Sequence, residues 1–349
     1  MARKIHDDLL AAQNSATNTP YIYLLFTSAD GNTTYDYSSD QAGRRILLID
    51  HNEEAYGGRL PEREAIILLR NDDKTIPDLK GYWTEIGYGY ICAGDTARYS
   101  QTARLWVKHQ QEISAQGRRV VLLELEGMWA KAYEMPMRRT GGKPPYYIAE
   151  FEGDTIYDIM KAVIETDLEW TLEALVEDDG IISRVEPSFV VNIQPYESHA
   201  GVLYRLISMT KSYLKAKAGL TVEVKYPQTS DSDDLSYYSD HAPYFYEYME
   251  RRNVLIPNHV YVFANQGSDG LWADIIVGEA SDAAEIAAYD DIARLVEAPY
   301  IDNQTDADNL AESILARAKM EALAGRMYAP HDCQVELYDK IAVIDTRGI

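Results

Sequence analysis

The residues here that could do chemistry are mostly acids. Asp231, Asp233 and Asp234 open like a calcium loop, in which closely spaced carboxylates wrap a hard cation in oxygen ligands. The pattern then departs. Its sixth position is Ser236, where the sharp turn needs glycine, and its twelfth is Ala242, where a glutamate would supply two oxygens. Asp240 beside His241 joins a carboxylate to an imidazole, the parts of an acid–base relay. Adjacent residues on a strand face opposite ways, however, and on a loop such a pair serves solvation or turn bonding. A glycosidase needs two acids about 5–9 Å apart across a cleft, and 56 carboxylates give no means of choosing a pair. There is no His-Glu-x-x-His zinc motif, no Gly-x-Ser-x-Gly nucleophile turn and no Walker-type lysine loop. Gly87, Gly89 and Gly94 lack the spacing of a dinucleotide loop; within a tyrosine-rich strand pair they mark turns or close backbone approach. The sequence therefore names no catalytic, cofactor-binding or metal-ligating residue, and the expectation is a protein that is not an enzyme and carries no cofactor.

Composition narrows the rest. A chain of 349 residues divides into two or three packed units. With 46% hydrophobic and 26% charged residues it has the balance of a folded globular protein. The unusual feature is 27 tyrosines against 5 phenylalanines. A tyrosine has an apolar body and a polar tip, so it suits sheet faces that end at water and subunit interfaces. A glycan-binding surface is the rival use. Trp83, Trp106, Trp129, Trp170 and Trp272 could stack on sugars, but four of them lie in apolar or alternating runs that favour packing. The net charge of −23 opposes any grip on phosphate backbones or anionic membranes. It would suit a conduit that lets DNA pass without holding it. Cys92 and Cys333 are too few for a disulfide framework or a metal cluster and read as reduced, buried side chains. The N-terminal MARKIHDDLLAAQNS has no apolar signal core, and no run reaches the roughly 18 apolar residues of a membrane span. Folding in a cytoplasm without an export signal is expected.

The elements that would position such residues follow from periodicity. Thr19 to Gly31, Arg45 to Gly58, Glu64 to Asp73, Tyr82 to Ile91, Ala103 to Ser114 and Arg118 to Ala130 read as strands punctuated by Gly, Asn and Asp turns. Such a series implies a barrel or sandwich rather than a parallel α/β domain. Met137 to Tyr147 has the Gly and Pro density of a linker. Gly153 to Trp170 then places Ile156, Ile159, Met160, Val163 and Ile164 on one helical face, with Thr155 and Asp158 as a cap. A second helix is expected over His199 to Lys217, with Thr210, Tyr213 and Leu214 on its inner face, followed by an alternating strand from Leu220 to Tyr226. Ser230 to Tyr248 reads as a loop entering a helix or strand. Asn253 to Gln266 reads as a strand, and Thr305 to Gly325 as a helix capped by Thr305 and stopped by Gly325. The fold class is α+β and β-rich: two barrel-like β domains, over 1–136 and 241–349, around a mixed α/β region over 137–240.

The order of these pieces resembles the tail-hub, or baseplate-hub, proteins of tailed bacteriophages. The IDHNE strand followed by EAIILLRN is similar to the first barrel of that family, and TIYDIMKAVIE to the helix that follows it. DAAEIAAYDD resembles a family segment whose tyrosine is usually followed by glycine; here Asp290 follows Tyr289. VELYDKIAVID resembles the strand that returns after the long helix. The resemblance implies a structural virion protein assembled in the host cytoplasm. It implies a homotrimer of two-barrel chains whose six barrels join a six-fold tail tube to a three-fold central spike or tip. Other baseplate proteins would be partners, DNA would pass transiently, and no membrane would be bound. Hub relatives often continue with further strands beyond Ile349, so the resemblance leaves open a compact hub, a fragment, or strands supplied by a partner. A carbohydrate-binding host-recognition module and, behind it, a tail-associated hydrolase are the alternatives.

Overall fold

Six apolar residues set the first core by simple alternation. Val121, Leu123 and Leu125 face Leu69, Ile67 and Ala65 across two antiparallel strands, and all six are buried. Side chains alternate sides along a strand, so facing pairs of this kind put a whole row on one face. The computed structural model describes residues 3–346 other than 16, 42, 54, 57–63, 116, 138–149, 188, 192–196, 229, 265–274, 299–300 and 302. Residues 138–147 of the expected linker, Trp272 and the last three residues thus lie outside the described residues.

From the N-terminus run α1 (Asp7–Gln13), β1 (Pro20–Tyr23), β2 (Leu25–Thr27), β3 (Thr34–Asp36), β4 (Ile46–His51) and β5 (Ala65–Arg70). They are followed by β6 (Trp83–Thr84), β7 (Gly87–Cys92), β8 (Thr96–Gln101), β9 (Leu105–Ala115), β10 (Arg118–Glu126) and α2 (Met128–Glu134). Seven strands form one sheet in the order β3-β2-β6-β9-β10-β5-β4, and β1-β7-β8 form another. Two strand lines bend from one sheet into the other, at Leu24 between β1 and β2 and at Glu85 and Ile86 between β6 and β7. Leu24 and Ile86 are fully buried at these corners, in the core they share with Phe26, Leu105 and Val107. Among the described residues neither sheet closes on itself. Gly89 lies in the middle strand of the smaller sheet, where a Cβ would collide with the backbone of Arg98 and Tyr99. Gly87 and Gly89 therefore serve close approach, and Gly94, at φ +78°, serves a turn, the two uses expected.

The middle of the chain holds β11 (Glu150–Phe151), α3 (Ile156–Lys161), β12 (Thr171–Leu172), β13 (Phe189–Val190), α4 (His199–Ser208), β14 (Tyr213–Lys217), β15 (Thr221–Lys225) and β16 (Leu235–Tyr238). Thr155 caps α3: its Oγ1 accepts the Asp158 amide at 3.2 Å and donates to the Asp158 carboxylate at 2.6 Å. A π-helical stretch, Ala162–Asp167, continues α3, and Ile156, Ile159, Met160, Val163 and Ile164 are all fully buried. The last part holds β17 (Glu247–Arg252), β18 (His259–Ala264), β19 (Ile276–Ser281), α5 (Ala283–Ala288), β20 (Ala293–Ala298), α6 (Gln304–Ala322), β21 (Leu323–Tyr328) and β22 (Ile341–Ile344). Small sheets β12-β15-β14, β19-β18-β20, β17-β21, β16-β22 and β11-β13 organise these strands. One continuous core joins the sheets β12-β15-β14, β19-β18-β20 and β11-β13 to the helices, with Met160 from α3, Val163 from the π-helical stretch, Leu206 from α4, Val222 from β15, Val262 from β18 and Leu310 from α6. The architecture is α+β and rich in antiparallel sheet.

Three helix and strand expectations need correction. The helix expected over His199 to Lys217 ends at Ser208, and Tyr213 and Leu214 belong to β14. The break is held by other parts of the chain. Asp179 accepts the Lys211 amide at 2.7 Å and the Ser212 hydroxyl at 2.8 Å, and Arg317 donates to the carbonyls of Ile207, Thr210 and Ser212. The C-terminal helix starts at Gln304, with the Asn303 side chain accepting the Asp306 amide at 2.9 Å in the place expected of Thr305. It passes directly into β21, so Gly325 is a strand residue paired with Glu250 rather than a helix stop. The returning strand is confined to Ile341–Ile344, and the preceding Val335–Lys340 stretch is irregular.

Candidate assembly interface

The acids that resemble a calcium loop are held by a lysine. Asp234 accepts the Lys340 amide at 2.9 Å, and Lys340 Nζ reaches the Asp231 carbonyl and lies 3.8 Å from the Asp233 carboxylate. A fixed cation there neutralises the acids and lowers their value as ligands. No cluster of three His, Cys, Asp or Glu side chains with metal-binding geometry occurs among the described residues. His241 does bond Asp240, at 2.8 Å, but both side chains stand in water and the imidazole stacks on Tyr238. Cys92 and Cys333 are both buried free thiols, as expected, and burial pushes the Cys333 thiol up to about 11. A thiol so seldom ionised is a poor nucleophile. The tryptophans with described positions pack inward. Trp129 stacks on Tyr56 at 4.3 Å and meets Trp170 edge-on, while Arg104 lies 3.8 Å over Trp83. They form no exposed sugar platform.

One buried group escaped the sequence. His259, at the start of β18, lies between two carboxylates, with Nδ1 3.0 Å from Asp291 and Nε2 2.9 Å from Glu279. Only an imidazolium donates from both nitrogens. Burial disfavours that charge, but hydrogen bonds to Glu279 and Asp291 outweigh it and raise the pKa above 6.5. The sign follows directly. The clamp contributes stability below pH 6.5 and loses it as pH rises through the higher folded value. Urea unfolding of the protein and of His259→Asn should therefore differ clearly at acid pH and converge at alkaline pH. A difference that is constant with pH would mean the imidazole acts through packing alone.

What the surface does offer is unpaired sheet edge with apolar side chains on it. The edge strand β4 has a register shift between Ile46 and Leu48, and there Leu47 and Leu48 are exposed by 44% and 52%. Bulges at an edge usually accompany charge or Pro that blunts pairing; this one shows two leucines. The edge strand β20 exposes Leu295 by 66%, and Tyr289, at the end of α5 ahead of it, is exposed by 54%. Among the described residues β17 and β21 pair only with each other, and every described side chain of β17 is exposed. Tyr246, Tyr248, Met249 and Tyr328 decorate this ribbon. Open edges, aromatic residues and methionine are what protein interfaces use; the sequence pattern marked β4 as a strand but not as an exposed edge.

No protein-family model matches the chain, and no curated protein matches its sequence. Solved structures do match. The chain aligns over 95% of its length, and 88% of the other chain, with the tail protein from Neisseria meningitidis MC58, at a TM-score of 0.65 and 12% identity. It aligns over 94% of its length, and 90% of the other, with the 43 kDa tail protein of prophage MuSo2 from Shewanella oneidensis, at a TM-score of 0.59 and 12% identity. The chain has a tail-protein fold. Both alignments take in the bent sheets, the shared helical core and the C-terminal strands together rather than one module.

Proposed function

We propose that the protein is a non-enzymatic structural component of a phage or prophage tail, acting as a baseplate hub. The observation that carries this reading is the fold likeness to two tail proteins over nearly the whole chain. In the proposed arrangement two barrel-like units per chain, over 1–136 and 241–349, assemble as a homotrimer. The six units match a six-fold tube, and the three chains match a three-fold spike or tip. The corners at Leu24 and Ile86 support a curled first unit, and the open edges β4, β17, β21 and β20 supply surfaces for neighbouring chains. Subunits in such a closed ring meet through unlike surfaces. DNA passes through without specific contact, in keeping with a net charge of −23. Among the described residues no helix is long and apolar enough to cross a membrane, and the virion tail, assembled in the host cytoplasm, is the proposed location.

Electron microscopy of the purified protein mixed with tail tubes tests the reading. The expected image is a three-fold ring seated on tube ends. Bare tube ends at saturating protein would overturn it.

A further inference from the structure

We propose that the cavity between the β11–β13 pair and the first turns of α6 is a docking pocket for a partner protein that presents one apolar side chain flanked by lysine or arginine. The inference goes beyond the hub reading and does not depend on it. The cavity has a volume of about 260 Å³. Ile181, Met209, Ile301 and Leu310 line it and are all buried, so they form its floor. Glu152 and Glu186 line it and are exposed, so they stand at its mouth. The walls are fixed before anything binds. The Ile156 and Tyr157 amides of α3 donate to the Val185 carbonyl at 3.1 Å and the Ile182 carbonyl at 2.9 Å. Behind the α6 wall the helix is pressed on β19, where a Cβ on Gly278 would collide with the Ala307 backbone. Binding to a preformed pocket loses little to ordering.

Size and charge together identify the occupant. The volume falls below the roughly 300–1,000 Å³ of a small-molecule site and suits a single side chain. The buried floor is apolar, so a charged tip entering it would lose its water without a partner; what enters is apolar. The mouth is different. Neither the Glu152 nor the Glu186 carboxylate has a hydrogen bond or ion pair among the described residues. No Lys, Arg or His lines the cavity among them either. Asp306, on the α6 wall, is already held by the Asn303 side-chain amide at 2.7 Å. Two carboxylates without counter-ions therefore border an apolar hole. An apolar anchor in a pocket, with complementary charge around it, is the usual centre of a protein interface. A partner with acids beside its anchor is repelled, and one without an anchor leaves the floor empty.

Three capped tripeptides test this on the full chain: acetyl-Arg-Leu-Arg-amide, acetyl-Arg-Ala-Arg-amide and acetyl-Glu-Leu-Glu-amide. The readout is the methyl NMR signal of Met209, assigned with Met209→Leu. Arg-Leu-Arg is expected to shift that signal saturably, and the other two to bind at least about tenfold more weakly. Glu152→Gln with Glu186→Gln changes only the exposed mouth, and should weaken Arg-Leu-Arg by about tenfold. A Met209 signal unmoved by every peptide overturns the pocket. Equal binding of Arg-Ala-Arg overturns the apolar anchor. Equal binding of Glu-Leu-Glu, or no loss in the double variant, overturns the part assigned to the two acids. None of these results bears on whether three chains form a ring, so the hub reading stands or falls separately.

Discussion

Glu336→Ala should destabilise the protein by about 3–5 kcal/mol, the usual cost of removing one partner from a buried ion pair. Glu336 accepts from Lys215 at 2.6 Å and from Arg3 at 2.7 Å, and the side chains of Lys215 and Glu336 are only 1% and 8% exposed. Lys215 sits on β14, Glu336 before β22, and Arg3 ahead of α1, so the cluster ties the two ends of the chain to its middle. Alanine would leave the Lys215 ammonium buried, with Glu223 3.9 Å away and the more distant Glu53 and Asp339 carboxylates to balance it. Lys215→Met with Glu336→Leu should recover most of the loss, since a well-packed apolar pair can replace a buried ionic one. The pH dependence has a definite sign. Burial alone would raise the Glu336 carboxyl, but Lys215 and Arg3 outweigh it and hold the folded value below the ordinary 4.5. The contribution is full above pH 4.5 and is lost as pH falls through the lower folded value. Denaturant titration of the three proteins between acid and neutral pH would show this. An alanine variant as stable as the native chain would mean that water already reaches the cluster.

Arg317→Ala should cost at least about 3 kcal/mol, because a hydrogen bond to a charged donor contributes roughly 1.5–3 kcal/mol and several are lost at once. From α6 its guanidinium reaches the carbonyls of Ile207 at 2.6 Å and Thr210 at 3.0 Å, and also that of Ser212. It lies 4.7 Å over the ring of Tyr213. A cation at the end of α4 satisfies its last carbonyls and complements the helix dipole. Arg317→Lys should fall between native and alanine, since an ammonium keeps the charge but not the planar fork. Urea unfolding ranks the three. A loss under about 1 kcal/mol for alanine, the scale of an ordinary surface change, would show that solvent caps α4 equally well.

These sites mark how far the sequence could be read. Period-two alternation was enough to place β5 and β10, because Leu69, Ile67 and Ala65 need only local pattern to choose a face. The cap at Thr155 was legible for the same reason, its partner being three residues away. The end of α4 was not. Tyr213 and Leu214 keep helical spacing, and what stops the helix is Arg317, 107 residues beyond Thr210, together with Asp179. Lys215 and Glu336 are 121 residues apart, and neither shows in its own neighbourhood that it is buried. The passage of α6 into β21 without a turn defeats a rule that expects glycine to end a helix; the pairing of Gly325 with Glu250 overrides it. The candidate interface was the least legible, because alternation predicts a covered face and every described side chain of β17 is exposed.

The mass of the native protein in solution, taken over a wide concentration range with and without tail tubes, tests the central claim most directly. The hub account predicts a species of three times the 39.5 kDa chain, either at rising concentration or on tube ends. A single-chain mass under every condition, with tubes present, would contradict it.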